Sequence, residues 1–181
     1  MGSLYVNYTV RSGDQAAVAK SLKGRNAYVT PVKDAALVVA DEAAETQEID
    51  AVREVGELLS TSLKTQVLAV LNHDDDMLWC GLFDQGRLTD EYNSAPAYFE
   101  GGSDPPNGGD ARKLCAAFGR AGSEKQLDAV LRKTDYVFAN ERHADLVAAL
   151  GLPAFAVGCG FNYLEEGELP EGLSEGDLVK P

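Results

Sequence analysis

The sequence predicts an α+β protein: a ferredoxin-like βαββαβ antiparallel sheet extended by a hairpin, followed by a smaller helical C-terminal part with short strands. Three observations predict it. Stretches of strand-like and helix-like periodicity succeed one another as strand, helix, strand, strand, helix, strand over the first half of the chain. Residues 72–92, "NHDDDMLWCGLFDQGRLTDEY", then read as a turn and a hairpin. Residues 95–109, "APAYFEGGSDPPNGG", are so dense in glycine and proline that they mark the clearest break in the chain.

Each element has its own local cause. "LYVNYTVR" alternates as a first strand, and "SGDQ", Ser12 to Gln15, has the spacing of a capping box, opening a helix that places Val18 and Leu22 on one face. "NAYVTP" and "AALVVAD" read as two strands joined around Pro31 to Asp34. Behind a cap at Thr46, the residues Ile49, Val52, Val55, Leu59 and Leu63 recur at helical spacing, and "QVLAVLN" comes next as a buried strand. "MLWCGLF" and "RLTDEY" flank "DQGR", where Gly86 supplies the positive φ that a two-residue turn at Gln85 and Gly86 requires. A regular register from that turn sets Phe83 opposite Leu88, Gly81 opposite Asp90 and Trp79 opposite Tyr92, all on one side.

Residues 1–94 therefore form one expected unit, 95–109 a linker or surface loop, and 110–181 a helical unit ending in an irregular acidic tail. In the last unit Ala111, Leu114, Cys115 and Phe118 share a helix face closed by Gly119. Ser123 and Gln126 make a capping box ahead of Leu127, Val130 and Leu131. A further helix is capped by Asn140 and stopped by Gly151 and Pro153, and "AFAVGCGF" alternates as a short strand.

Charge excludes whole classes of partner. The chain has 181 residues and a formal net charge of −13, a field that repels phosphate backbones and anionic lipids. Nucleic acid and membrane surfaces are therefore not expected partners. "ERHADLVAALGLP" resembles the opening of a helix-turn-helix, but residues 154–161 beyond Pro153 have no lysine or arginine for phosphate contacts. No run reaches the roughly 20 apolar residues of a membrane span, and Met1-Gly2-Ser3 leads straight into a strand pattern, so a cytoplasmic location is expected. Cys80, Cys115 and Cys159 are odd in number and widely spaced among apolar neighbours, which suits buried reduced thiols rather than disulfides or zinc.

Residues 72–92 carry the candidate chemistry. His73 precedes Asp74, Asp75 and Asp76, and alternation lets only Asp74 and Asp76 converge. Joined by Asp90 from the neighbouring strand, they could hold magnesium or another divalent ion in a hydrolase or phosphoryl-handling enzyme. The glycine and glutamate of a calcium loop are absent, as is HExxH, and two histidines are too few for a histidine-rich metal site. Phosphate-binding glycine loops are missing too. Cys159 with His143 would be a nucleophile and base, but both align with apolar faces and read as packed residues.

The leading expectation is thus a non-enzymatic acidic module, cofactor-free and regulatory or inhibitor-like, that binds a basic protein partner. Its binding surface is expected at Asp74, Asp75, Asp76, Trp79, Tyr92, Tyr98 and Phe99, where acids and aromatic residues neighbour the glycine-rich segment.

Overall fold

The computed structural model describes residues 2–181. Seven strands form one antiparallel sheet: β1 Tyr5–Val10, β2 Ala27–Val29, β3 Leu37–Asp41, β4 Val67–His73, β5 Met77–Asp84, β6 Arg87–Asn93 and β7 Asn107–Gly108. Their spatial order is β2-β3-β1-β4-β5-β6-β7, which differs from a simple four-stranded ferredoxin-like sheet. Strands β1 and β3 are buried along their whole length, and β4 and β5 along all but their last residue. Strands buried in this way belong to a sheet covered on both faces.

The first face is covered by α1 Gln15–Ser21 and α2 Ile49–Leu63. Val18 and Leu22, with Val52, Val55 and Leu59, meet Val6, Tyr8 and Val10 of β1 there. The spacing argument located both helices, but their caps differ. Asp14, not Ser12, caps α1 by accepting from Ala17 N at 2.9 Å, while Ser12 Oγ accepts from Asp14 N. The serine braces the cap from two residues upstream. Glu48 flanks α2, and Thr46 ends a short 3-10 turn whose hydroxyl accepts weakly from Glu48 N.

The second face is covered by α3 Ala111–Ala117, α4 Glu124–Arg132, α5 Ala139–Leu150 and α6 Phe161–Glu165. They pack on Val38, Leu68, Val70, Leu78, Cys80 and Tyr92. Ser123 flanks α4 without a side-chain cap bond, and α5 starts at Ala139, one residue before the expected cap, with the Glu141 carboxylate accepting from Phe138 N at 3.2 Å. "AFAVGCGF" is not a strand: Pro153 opens a 3-10 turn at Ala154–Ala156, Gly158 takes a left-handed φ of 77°, and Phe161 starts α6. Its Phe155, Cys159 and Phe161 are still buried, but Ala156 and Gly160 are buried with them and Val157 only partly, so the burial does not alternate. Within residues 95–109, the chain forms a 3-10 turn at Tyr98–Glu100 and then β7.

The hairpin turns where expected, with positive φ at Gln85 and Gly86 and with Asp84 opposite Arg87 and Phe83 opposite Leu88. Beyond that the expected register fails. A bulge leaves Thr89 unpaired, so Leu82 faces Asp90, Gly81 faces Glu91, Cys80 faces Tyr92 and Trp79 faces Asn93. One extra residue flips every later side chain to the other face. Trp79 and Tyr92 therefore lie on opposite sides of the sheet, Trp79 with the first-face core and Tyr92 with the second. No helix among the described residues is long and apolar enough to cross a membrane.

Candidate functional site

Asp74 and Asp75 carry left-handed φ values of 52° and 58° in the β4–β5 turn, which Asp76 N closes by donating to His73 O at 3.0 Å. Aspartate tolerates this conformation better than most residues, so the acidic run is a turn sequence first. Its carboxylates diverge. Asp74 accepts from Gly2 N at 2.6 Å. Asp75 is buried and accepts from Ser3 N, Ser3 Oγ and Asn72 Nδ2, while its carbonyl accepts from Ala139 N at 2.6 Å. Asp76 accepts from the Tyr98 hydroxyl at 3.1 Å. Asp90 accepts from Asp110 N near the opposite end of the hairpin. The fold does not gather Asp74, Asp76 and Asp90, and no three acidic, histidine or cysteine side chains among the described residues are placed to share a metal ion.

The turn does gather something else. Tyr98 and Phe99 pack edge-on against His73, with ring centroids 5.7 and 5.1 Å away. Gln47 Nε2 donates to Asn72 O, so its Oε1 faces His73 Nδ1 at 2.5 Å and that nitrogen must carry the proton. Among the described residues, Leu4, Phe99, Val137 and Phe138 are four of the five large hydrophobic side chains left exposed, Phe99 at 73% and Val137 at 72%. Leu4 follows Ser3 and Val137 and Phe138 precede Ala139, both of which hydrogen-bond Asp75, and Phe99 packs on His73 beside Tyr98, which hydrogen-bonds Asp76.

Beside this rim a pocket of about 350 Å³ opens on the first face of the sheet. Leu71, Met77 and Trp79 come from the strands, Ile49 and Arg53 from the start of α2, and Phe99 stands at the mouth. The bulge creates its polar side. By turning Glu91 onto the face of Trp79, it places the carboxylate opposite Gly81, diagonal to the indole. A Cβ at Gly81 would collide with the indole ring; glycine leaves the room in which Trp79 Nε1 donates to Glu91 Oε1 at 2.7 Å. Arg53 Nη2 donates to the same oxygen at 2.8 Å. Arg53 Nε is buried and has no partner among the described residues.

Of the other expected site residues, Tyr92 is buried on the second face, donating to Leu131 O and accepting from Arg142 Nη1. It belongs to the core rather than to the surface. His143 hydrogen-bonds Tyr5 Oη at 2.8 Å, not Cys159, and burial pushes it down to about 3. Burial likewise pushes the Cys159 and Cys80 thiols up to about 12. At neutral pH these are an uncharged imidazole and uncharged thiols. Tyr136 to Phe138 read in the sequence as a short apolar run ahead of a helix, and nothing local marked Val137 and Phe138 as surface residues. Sequence reasoning also missed Gln47, Arg53 and Glu91, which nothing in local sequence marks as one site. No family model, curated protein or solved structure matches the chain.

Proposed function

We propose that this chain is a non-enzymatic, acidic, intracellular protein-binding module of regulatory or inhibitor-like character, and that the β4–β5 turn presents its binding surface to a basic partner. One observation carries the reading: among the described residues, four of the five exposed large hydrophobics touch the same acidic turn or lie within two residues of a group that does. Protein interfaces combine apolar anchors with a charged rim, and isolated exposed apolar residues scattered over a surface would not signal one. Asp74 and Asp76 supply the rim, whereas Asp75 holds the turn together. The net charge of −13 steers a basic protein towards it and works against nucleic acid and anionic membranes. Because Asp74, Asp76 and Asp90 serve three different partners, no observation favours the metal-dependent hydrolase.

We read β1, α1, β2, β3, α2 and β4 as a ferredoxin-like core to which β5–β7 are added. The antiparallel order β2-β3-β1-β4 supports that reading.

The test is recovery of a stoichiometric partner from native lysate by three versions of the chain. The wild type is expected to retain it, and Phe99→Ser with Phe138→Ser to lose it. Asp74→Asn with Asp76→Asn is expected to slow association, most strongly at low salt, since rim charges act on the on-rate. Equal recovery by all three would refute the surface. A thermal shift of several degrees with millimolar magnesium or manganese, abolished by the asparagine pair, would promote the metal enzyme instead.

A further inference from the structure

We infer that the pocket beneath Phe99 receives an apolar side chain, together with an adjoining peptide group, from a basic segment of the partner protein; the inference rests on the protein-binding reading above. The pocket's body is apolar: Ile49, Leu71, Met77, the Trp79 indole and the Phe99 ring. Its volume of about 350 Å³ is at the small end of ligand sites, so it suits an anchor residue rather than an extended molecule.

The polar groups define what accompanies that anchor. Arg53 Nε is buried away from solvent, so the guanidinium offers an occupant nothing from that atom. Glu91 Oε1 already takes two hydrogen bonds, from Trp79 and Arg53, which leaves Oε2 as an acceptor. His73 Nδ1 is committed to Gln47, which leaves Nε2 as a second acceptor while the ring is neutral. An occupant can therefore use a donor towards Glu91 or His73, and a peptide N–H supplies it.

Charge selects the segment around the anchor. Arg53 is the sole lysine or arginine in stretches 47–53, 73–79 and 91–100, and Glu91 already neutralises it. Asp50, Asp76 and Glu100 are exposed in the same stretches. A free carboxylate would enter against this field, and a sequence with flanking lysine or arginine would enter with it.

The chain's single tryptophan lies in the pocket, so the protein carries its own reporter. The full chain is titrated with N-acetylphenylalaninamide, with N-acetylphenylalanine as the charged analogue and ethylbenzene as the analogue without a peptide group, while Trp79 fluorescence and its Nε1–H resonance are followed. The amide is expected to saturate in the millimolar range, as a fragment should, and the carboxylate to bind less tightly. Glu91→Gln keeps an oxygen for Trp79 and Arg53 but turns the free Oε2 acceptor into a donor; it is expected to weaken the amide by about tenfold and leave ethylbenzene unchanged. The unfolding midpoint of this variant should match the wild type, which separates a lost contact from a lost fold.

In a second arm Ile49→Phe fills the pocket, and partner recovery is expected to fall while the rim residues remain intact. Failure of the amide to saturate, or recovery unaffected by Ile49→Phe, overturns the pocket and leaves the rim reading standing. Amide binding with no protein partner overturns both the partner assignment and that reading. Self-association that rises with concentration and is lost in Ile49→Phe assigns the pocket to a second copy and overturns the partner assignment alone.

Discussion

The two faces of the sheet solve the same burial problem by different means. On the first face, α2 runs for 15 residues, and the buried polar groups are mostly paired side chain to side chain: Arg25 donates to buried Asp41 at 2.6 and 2.9 Å and Arg53 and Trp79 meet on Glu91, while Tyr8 Oη donates to Val52 O at 3.0 Å. On the second, four helices of 7, 9, 12 and 5 residues alternate with turns. Every helix end leaves carbonyls without intrahelical donors, so short helices bury more of them per residue. The second face answers with buried polar side chains. Arg142 donates to Val130 O and Lys133 O at the end of α4 and to the Tyr92 hydroxyl, and Asn7 Nδ2 donates to Ala156 O and Cys159 O. The two layers differ in what their buried polar groups serve: chiefly other side chains on the first face, and carbonyls left by helix and turn ends on the second.

The largest expected effect breaks the second face. Arg142→Met keeps much of the side chain's volume but strips donors from buried carbonyls, each costing about 1–3 kcal/mol when orphaned. A loss of about 3 kcal/mol or more in chemical denaturation is expected, and a loss near zero would show that the carbonyls do not need this arginine.

An acid titration gives the intermediate effect. Burial holds His143 down to about 3, whereas an unfolded histidine titrates near 6.5. Between those values the unfolded chain binds a proton that the folded chain refuses, so stability falls as pH falls through the window, by up to about 1.4 kcal/mol per pH unit. Glu45, raised by burial, acts in the opposite direction and cancels when variants are compared. His143→Phe is expected to have the shallower acid slope, and parallel slopes would place the imidazole in contact with water.

The smallest effect belongs to the first face. Tyr8→Phe removes a hydroxyl whose acceptor, Val52 O, stays within a continuous helix. The expected loss is about 1 kcal/mol. A cost matching that of Arg142→Met would erase the distinction between the faces.

Legibility in the sequence divides along the same line. Alternation in β1, the apolar run of β4 and the spacing from Ile49 to Leu63 are long regular signals, and the structure places elements there. The α+β class was readable from them. The second face was harder, because "AFAVGCGF" alternates large and small residues in sequence yet folds as a 3-10 turn with adjacent residues buried. In the candidate site, the turn and the exposed aromatic Phe99 were legible, since aspartate runs and glycine-rich segments have local causes. The pocket was not. Its polar corner depends on one unpaired residue, Thr89, and on an arginine from a helix far away in sequence, neither of which has a local signature.

The Asp75 clasp also has a consequence for the order in which the chain can fold during synthesis. It joins residues 3, 75 and 139, so it closes only after α5 has left the ribosome. Until then β1–β6 can pair, but Val38, Leu68, Val70 and Leu78 remain bare on the second face, waiting for helices that are made last. Nascent chains shorter than residue 139 thus carry an exposed apolar sheet surface, the kind that chaperones hold and that aggregates when they do not.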